Sequence, residues 1–362
     1  MGSSGSPTNS AAQDRTDVEH DVPLAGLTTL RVGGPARTFV EVAHDDELIA
    51  ITAQADAAGE PLLLLAGGSN VVIGDDGFPG TVVRICTRGV EVTPDDDHVL
   101  LTVAAGESWD RLVARAASDG WSGIEALSGI PGSIGATPIQ NVGAYGHEVA
   151  EVITAVTAYN RTTGRVEVLD PAACDFGYRS SRFKSEPGKW VILRVTFRLE
   201  SSPLSAPVKY VDLAERLGAL PGDRLPGINV RRKVLDIRRT KGMVLDIDDH
   251  DTWSVGSFFT NPLVSGDQAR RLPAEAPRWP AADGRVKVSA AWLIDNSGFG
   301  RGWPNDPKAV ASLSTKHTLA ITNRGQATAT DVLEVATAVR AGVQRIMGIT
   351  LEPEPNLVNC SL

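Results

Sequence analysis

Two glycine-rich stretches hold the residues whose types and spacing best suit ligand chemistry. In the first, four leucines lead towards the segment 67–70 (Gly-Gly-Ser-Asn); the second covers 128–146 and includes Gln140 and Asn141. The glycines of the second stretch are Gly129, Gly132, Gly135, Gly143 and Gly146. Glycine allows positive φ and close approach of backbone N–H groups, which suits a diphosphate that needs several donors. Tight turns alone would explain one stretch, but two with adjacent polar side chains predict a bound nucleotide cofactor.

A basic segment, NVRRKVLDIRRTKGM, is a candidate site for an anionic group. Its aliphatic residues at helical spacing are Val230, Val234 and Ile237. That spacing leaves Arg231, Arg238 and Lys241 elsewhere on the helix surface, where they could bind a diphosphate through charge-assisted hydrogen bonds. A solvated helix face explains such a cluster equally well.

Several common catalytic motifs are absent from the sequence. There is no G-x-G-x-x-G after a strand, no G-x-x-x-x-G-K-[ST] and no G-x-S-x-G. His147 and Glu148 begin like a zinc-binding H-E-x-x-H motif, but Glu151 occupies the position of the second histidine. We therefore predict neither a standard dinucleotide-binding fold, nor a P-loop, nor a serine hydrolase, nor a metal site.

The elements that must position these residues are a mixture of strands and helices. Apolar and mostly polar residues alternate over 191–199, which predicts a strand, and 154–168 reads as a hairpin. One helix is expected between Ser108, as its N-cap, and Gly120, and another over 331–347. The apolar face of that second helix is predicted to be Val332, Val335, Ala336, Val339, Val343 and Ile346. Without a regular βαβ repeat, the chain is predicted to be α+β in more than one domain.

Composition limits the class of protein further. The 362 residues are 42% hydrophobic and 22% charged, with a net charge of -9 and a pI near 5.2, so non-specific attraction to nucleic acid is not expected. No apolar run reaches the ~18 residues of a membrane span. The cysteines Cys86, Cys174 and Cys360 form no C-x-x-C pair, which favours reduced thiols. We therefore expect a cytoplasmic protein with no nucleic-acid or membrane partner.

Five blocks occur in a characteristic order: LAGGSN, LSGIPGSIGATPIQNVGAYG, FGYRSSRFK, GSFFTNP and LEPEP. Together they resemble the UDP-N-acetylenolpyruvoylglucosamine reductase (MurB) family, from about Leu24 to Glu354. The resemblance implies an α+β fold: a two-part FAD-binding module of the vanillyl-alcohol oxidase/PCMH type, followed by an α+β substrate-binding domain. The implied units are a disordered segment 1–20, FAD-binding subdomain 1 at 21–86 joined by 348–362, FAD-binding subdomain 2 at 87–230, and a UDP-sugar domain at 231–347.

The resemblance also implies the cofactors. FAD would be bound noncovalently, and NADPH would supply the hydride that reduces it. The implied FAD-binding residues are Gly67, Gly68, Ser69, Asn70, Gly129, Gly132, Ser133, Gly135, Ala136, Asn141, Gly143 and Tyr145. A Cβ at Gly68 or Gly132 is expected to occupy space that the flavin diphosphate needs, and so to release the cofactor.

The implied reaction is reduction of the enolpyruvyl group of UDP-N-acetylglucosamine enolpyruvate to UDP-N-acetylmuramate, for peptidoglycan synthesis. Adding hydride to an alkene conjugated with a carboxylate places negative charge there, so the site needs charge stabilisation and a proton donor. By resemblance, Arg179 stabilises the charge, Ser257 donates the proton, and Glu354 helps to polarise the substrate. The implied substrate-binding residues are Tyr210, Arg238, Lys241 and Asn261.

Two departures and two alternative functions qualify this resemblance. Thr260 stands where some members carry lysine, and the tail after Glu354 differs from the commoner hydrophobic-basic ending. One alternative function is a sugar or alcohol oxidase of the same flavin fold, which leaves Ser257 and Glu354 together unexplained. The other is a non-catalytic UDP-sugar or flavin-binding regulator, which the intact catalytic residues disfavour. We expect a monomer.

Overall fold

The computed structural model describes residues 17–281 and 283–362. Of the segment expected to be disordered, 1–16 lies outside the described residues. The expectation is wrong for its last three residues, because the strand Val18–Pro23 begins there and pairs with Pro35–Val42. Backbone hydrogen bonds to a neighbouring strand order this part of the chain.

The strands are short, apart from one of twelve residues near the middle of the chain. In chain order they are β1 (Val18–Pro23), β2 (Pro35–Val42), β3 (Leu62–Leu65), β4 (Val71–Ile73), β5 (Phe78–Ile85), β6 (Val90–Asp95), β7 (His98–Ala104), β8 (Trp121–Ser122), β9 (Gly143–Ala144), β10 (His147–Glu148), β11 (Ile153–Asn160), β12 (Arg165–Leu169), β13 (Trp190–Ser201), β14 (Leu263–Val264), β15 (Arg278–Pro280), β16 (Val286–Val288), β17 (Ala311–Leu313), β18 (Ile321–Asn323) and β19 (Asn356–Val358).

The helices are distributed along the whole described chain, between and after the strands. They are α1 (Asp45–Ala58), α2 (Trp109–Asp119), α3 (Pro171–Cys174), α4 (Arg182–Ser185), α5 (Val211–Leu217), α6 (Gly227–Thr240), α7 (Gly266–Arg271), α8 (Ala290–Asp295) and α9 (Ala329–Met347). This mixture confirms the α+β class.

The N-terminal sheet has the strand order β1-β2-β5-β3. β1 runs antiparallel to β2, whereas β2 and β3 both run parallel to β5. The end of the chain returns to this region, because β19 pairs in parallel with β4. The tail after Glu354, which departs from the family pattern, therefore contributes a strand.

The second sheet is antiparallel, with the order β12-β11-β13-β7-β6 and β8 added to one end of β13. The predicted hairpin is β11 and β12, and the predicted alternating strand is β13. Its apolar residues are buried: Val191 and Leu193 pack towards the first sheet, while Val195, Phe197 and Leu199 pack with Trp109 of α2.

Both predicted helices form, with corrections in detail. α2 ends at Gly120, as expected, but Ser108 makes no side-chain capping hydrogen bond at its start. α9 begins two residues before the predicted start, because Thr328 and Asp331 form a capping box, and it ends at Gly348. Ile346 is 51% exposed, so it does not belong to the buried face.

The predicted domain boundary between 230 and 231 needs correction, because it would divide the continuous helix α6. Arg231 on α6 forms a bidentate ion pair with Asp110 on α2, with N–O distances of 2.6 and 2.9 Å. Helix α6 therefore packs against α2, beside the second sheet, and we place the boundary after Thr240.

The C-terminal part packs three short strands, the β17–β18 pair and helices α7, α8 and α9 around one core. That core includes Leu30 and Val72 from the N-terminal part. In addition, the Asp75 carboxylate accepts hydrogen bonds from Ala329 N and Thr330 N at the start of α9. Partial burial acts to raise the pKa of Asp75, but the Thr330 hydroxyl and these two N–H groups together lower it.

We predict that Gly342→Ala destabilises the protein. A Cβ at Gly342 in α9 would lie 2.2 Å from Phe299 Cε2 in the core. Overpacking of this kind costs about 1–3 kcal/mol, which outweighs the roughly 1 kcal/mol that alanine adds in helix propensity. Urea unfolding should therefore show a lower free energy of unfolding.

The matched control is Gly300→Ala, since a Cβ there has no neighbour within 4 Å. It should change the free energy of unfolding by less than about 0.5 kcal/mol. Equal stability of the two variants would contradict this account of α9 packing.

Candidate active site

The two glycine-rich stretches form one structure, because their loops pack against each other. A Cβ on Gly67 would lie 2.7 Å from Gly132 Cα, so the backbones touch where side chains are missing. Ser69 Oγ donates to Pro131 O at 3.2 Å, and Asn70 Nδ2 donates to Gln140 Oε1 at 2.9 Å. The loops therefore position one another.

This packing gives a further reason for the glycines, besides the expected space for a ligand. A Cβ at Gly68 would meet Leu27 O at 2.0 Å, and one at Gly132 would meet Ser69 Oγ at 2.8 Å. Both obstacles are protein atoms, so the protein by itself disfavours a side chain at these positions. Gly68 also has φ +57°, which a residue with a Cβ rarely adopts.

Arg179 and Glu354 form an ion pair although they lie 175 positions apart in the sequence. Arg179 Nε lies 3.1 Å from Glu354 Oε1, and Arg179 Nη2 donates to Gly143 O at 2.9 Å. Burial raises the pKa of Glu354, and Arg179 opposes that effect without cancelling it. Arg179 has φ +51°, so its backbone is held in a strained conformation that aims the side chain.

Ser257 reaches the same place through backbone hydrogen bonds. It pairs with Ala320, and the next residue, Phe258, accepts a hydrogen bond from Glu354 N at 2.9 Å. Phe258 N donates to Leu319 O at 2.7 Å. The buried Phe258 thus ties two chain segments together and sets Ser257 beside Glu354.

Thr260, the departure from the family pattern, has a local role in the same arrangement. Its backbone N–H donates to Glu352 O at 3.0 Å, and its hydroxyl lies 3.4 Å from that oxygen. The side chain therefore supports the pairing of 257–260 with the C-terminal segment.

A cavity of about 430 Å³ brings most of the predicted site residues together. Its lining includes Ser69, Asn70, Ser133, Ala136, Gly143, Tyr145, Arg179, Tyr210, Arg238, Lys241, Ser257 and Glu354. The predicted residues that do not line it are Gly67, Gly68, Gly129, Gly132, Gly135, Asn141 and Asn261. The volume lies within the ~300–1,000 Å³ typical of ligand pockets.

The residues outside the lining have structural partners instead. A Cβ at Gly129 would lie 2.8 Å from the Leu235 side chain. A Cβ at Gly135 would lie 2.7 Å from the Ala105 side chain. Asn141 hydrogen-bonds Glu148 and Ala150 N.

The side chain of Asn261 also hydrogen-bonds to another part of the protein. Its Oδ1 accepts from Ala290 N at 2.9 Å, at the start of α8. The carboxamide oxygen thus supports the helix start, and the side chain does not border the cavity.

The basic segment is arranged differently from the predicted surface cluster. Arg238 is only 9% exposed, and burial lowers the pKa of its guanidinium. Its Nη2 donates to Met243 O at 2.9 Å, while Nε is buried without a partner among the described residues. Lys241 follows the helix end and borders the cavity. Arg231 does not, since it pairs with Asp110.

Two tyrosines lie edge to face on one wall. The ring centroids of Tyr145 and Tyr210 are 5.8 Å apart with an interplanar angle of 77°. Tyr145 has φ +51° and a pKa raised mainly by burial, whereas Tyr210 is 48% exposed just before α5. The pair places two nearly perpendicular aromatic rings beside the cavity.

Sequence reasoning missed several polar residues of the lining. They are Thr29, Thr137, Lys184, Thr252, Ser254 and His317. Lys184 Nζ donates to Arg179 O, and the FGYRSSRFK block could have indicated it. His317 carried no motif signal.

The residues present fit a bound nucleotide cofactor. Ser133 Oγ, at the meeting point of the two loops, is buried, borders the cavity and has no hydrogen-bond partner within the described residues. A buried hydroxyl without a partner is unfavourable unless a ligand satisfies it. A family model described as an FAD binding domain matches residues 36–170. Fold, loops and cavity together define a flavin-binding enzyme.

Comparison with known proteins identifies the family. A model of the C-terminal domain of UDP-N-acetylenolpyruvoylglucosamine reductase matches residues 248–358. The chain is 53% identical to the enzyme of that name from Cutibacterium acnes, over 94% of this chain and 90% of the relative. It is also 53% identical to that from Salinispora arenicola, over 97% and 99%. The chain belongs to the UDP-N-acetylenolpyruvoylglucosamine reductase family.

A solved structure agrees with this assignment. The crystal structure of UDP-N-acetylenolpyruvylglucosamine reductase (MurB) from Thermus caldophilus superposes with a TM-score of 0.63 at 27% identity, covering 95% of this chain and 99% of that one. Among the described residues, none of the helices has the length and apolar character needed to cross a membrane.

We predict that Gly68→Ala weakens the apoprotein as well as flavin binding. The new Cβ would collide with Leu27 O and force an unfavourable positive φ, and such strain costs about 1–3 kcal/mol. Thermal unfolding of the apoprotein and flavin absorbance of the purified protein measure the two effects. Gly26→Ala, whose Cβ meets nothing within 4 Å, is the control. Loss of flavin with unchanged apoprotein stability would restore the ligand-space explanation.

Proposed function

We propose that this protein reduces the enolpyruvyl group of UDP-N-acetylglucosamine enolpyruvate and forms UDP-N-acetylmuramate, a peptidoglycan precursor. The single observation that carries the proposal is that Arg179, Glu354 and Ser257 border one cavity. Membership of the reductase family supports the same substrate. FAD, when bound, supplies the chemistry of accepting a hydride from NADPH and passing it to the substrate.

Arg179 is proposed to stabilise negative charge on the substrate carboxylate. A guanidinium stays protonated and can donate two parallel hydrogen bonds to a carboxylate. Its strained backbone and its hydrogen bond to Gly143 O aim it before substrate arrives. Such preorganised charge is effective because little reorganisation remains for the reaction itself.

Glu354 is proposed to orient Arg179 and to polarise the substrate. Its carboxyl is buried, and its raised pKa indicates that the charged form is costly there. That cost makes the group sensitive to the arrival of a substrate carboxylate. The pair is only partly buried, since the side chains of Arg179 and Glu354 are 23% and 14% exposed.

Ser257 is proposed to donate the proton that completes the product. A serine hydroxyl is a weak acid, so its position must compensate for its chemistry. The backbone pairing of Ser257 with Ala320 and of Phe258 with Glu354 supplies that fixed position.

Lys241 and Arg238 are proposed to bind the substrate diphosphate. Both border the cavity, and the Nε–H of Arg238 has no acceptor among the described residues. Tyr210, which stacks edge-on with Tyr145, is proposed to cover the bound substrate. Asn261 stays a predicted substrate contact, although its carboxamide oxygen is occupied at α8.

The proposal includes features of the protein as a whole. The FAD-binding part comprises the regions 21–86 with 348–362 and 87 to the end of α6, and the UDP-sugar part follows α6. The parallel pairing of β19 with β4 supports the return of the C-terminal segment. A monomer in the cytoplasm stays a prediction, and we further propose roles in cell shape, cell division and the cell cycle.

An oxidase or a non-catalytic binding protein is not favoured. Neither function requires a proton donor and a partly buried ion pair at one cavity. Oxygen consumption with sugars, and no oxidation of NADPH, would favour the oxidase. Bound FAD with no turnover of NADPH would favour the binding protein.

Replacing Ser257 by alanine should separate the two half-reactions. Reduction of the flavin by NADPH needs no proton from Ser257, so flavin bleaching should stay near the wild-type rate. Reoxidation by the enolpyruvyl sugar needs that proton, so it should slow by about 10²–10⁴-fold. Anaerobic stopped-flow absorbance resolves both phases.

Two further variants sharpen the test of Ser257. Ser257→Cys should keep more reoxidation activity than alanine, because a thiol still donates a proton. Ser265→Ala, in a capping box outside the cavity, should leave both phases unchanged. Equal slowing of both phases in Ser257→Ala would mean that Ser257 shapes the site instead.

Lys241→Ala should impair binding more than chemistry. Loss of a charge-assisted hydrogen bond to the diphosphate should raise KM for the UDP-sugar by about 10- to 100-fold, with a smaller fall in kcat. The control is Arg239→Ala, an exposed cation near the end of the same helix that pairs with Asp236. A selective loss of kcat with unchanged KM would assign Lys241 to catalysis.

A further inference from the structure

The sequence H-E-V-A-E at 147–151 does not line the cavity, but it contacts the segment that leads to Tyr210. His147 is 4% exposed. Its Nε2 lies 3.0 Å from Pro207 O, and its Nδ1 lies 2.9 Å from Glu151 Oε2. A carbonyl oxygen can only accept, so Nε2 carries a hydrogen and donates it to Pro207. The buried imidazole therefore joins two residues that lie 60 positions apart in the sequence.

Glu151 holds the imidazole in this orientation. Partial burial acts to raise the pKa of Glu151, but hydrogen bonds from Lys209 and His147 together lower it. The ionised carboxylate also accepts from Lys209 Nζ at 2.9 and 3.0 Å. That ion pair is exposed, and exposed pairs contribute little to stability. The hydrogen bond from His147 to Pro207 is the stronger connection, because breaking it leaves a buried N–H without a partner.

The segment 205–210, between β13 and α5, depends on contacts of this kind because it contains no helix or strand. On one side, backbone hydrogen bonds join it to 222–225. On the other side, it meets 145–151, where a Cβ at Gly146 would lie 2.9 Å from Lys209 Cβ. On that second side the hydrogen bonds come from side chains. Removing them would therefore free one side of the segment.

Tyr210 is the last residue of this segment and contacts the same stretch as Pro207 does. Its ring packs edge to face against Tyr145, with the centroids 5.8 Å apart. Because Tyr210 is 48% exposed, its own contacts cover only part of the ring. The hydrogen bond that His147 donates three residues earlier therefore helps to set the position from which Tyr210 reaches the cavity wall.

We propose that His147 is a positioning residue for substrate binding: its hydrogen bond to Pro207 O holds segment 205–210 so that Tyr210 is already placed to cover the UDP-sugar. The proposal rests on the proposed function, because it assumes that Tyr210 covers this substrate. Ordering a segment before the ligand arrives removes an entropy cost from binding. The hydrogen bond should therefore lower KM and have little effect on kcat.

Two amide variants of His147 distinguish its two ring nitrogens. The amide nitrogen of glutamine lies about as far along the side chain as Nε2, whereas that of asparagine corresponds to Nδ1. His147→Gln can therefore still donate to Pro207 O, and His147→Asn cannot. In steady-state NADPH oxidation by the FAD-bound protein, His147→Asn should raise KM for the UDP-sugar by about tenfold and change kcat by less than about twofold. His147→Gln should stay within about threefold of the wild-type KM.

A double-mutant cycle with Tyr210→Ala shows whether His147 acts through Tyr210. Tyr210→Ala alone should raise KM, because the substrate loses its cover. Adding His147→Asn should then change KM by less than about twofold, since no ring is left to position. If the asparagine variant folds poorly, Glu151→Gln replaces it, with a KM rise of about two- to threefold that disappears in Tyr210→Ala. The control is His98→Asn, whose ring pairs with Asp97 outside the cavity and which should leave KM unchanged.

The outcomes separate this inference from the proposed function. Equal KM values for the two amide variants overturn the role of His147 and leave the reductase function intact. An effect of His147→Asn that persists in full without the Tyr210 ring does the same, as does a wild-type KM in Tyr210→Ala. Absence of NADPH oxidation by the wild-type FAD-bound protein with the enolpyruvyl sugar overturns the proposed function and this inference with it.

Discussion

The arrangement of the candidate site depends on the backbone hydrogen bonds of one short segment, 257–259. This segment lies between two others that are about 60 and 95 residues away in sequence, and it bonds to both. Phe258 and Phe259 are buried, so solvent does not compete for these bonds. Backbone bonds in a dry environment are costly to break, because an unpaired buried group loses its solvation. The segment thereby fixes the proposed proton donor relative to Glu354.

The glycine-rich loops show a second constraint, imposed by backbone contact. Gly67 and Gly132 lie so close that a Cβ on the first would overlap the second. Close packing of two backbones leaves no room for side chains, but it brings Ser69 and Ser133 to the cavity edge. The glycines therefore serve the ligand indirectly, by allowing the loops to form one wall.

Electrostatics divides the cavity into two parts with different solutions to burial. On one side, Arg179 and Glu354 neutralise each other in an ion pair. On the other, Arg238 and Lys241 supply positive charge, and burial together with these cations lowers the pKa of His317 to about 4. The asymmetry suits a ligand with a carboxylate at one end and a diphosphate at the other.

The sequence by itself determined the α+β class, the strand β13, the helices α2 and α9, and the five blocks that gave the family. These features depend on periodicity, caps and local residue order, which neighbouring residues decide. Even so, the exposed Ile346 shows that periodicity alone does not reveal where a helix face stops meeting the core.

The tertiary structure decided which residues share the cavity. His317 joined it without a motif and Lys184 from within the FGYRSSRFK block, whereas Asn261 and several glycines contact other parts of the protein. It also buried Arg238 and paired Arg231 with Asp110, which helical spacing could not distinguish from two exposed arginines. The physical reason is that burial and pairing depend on atoms from distant segments, and those contacts exist only once the chain has folded.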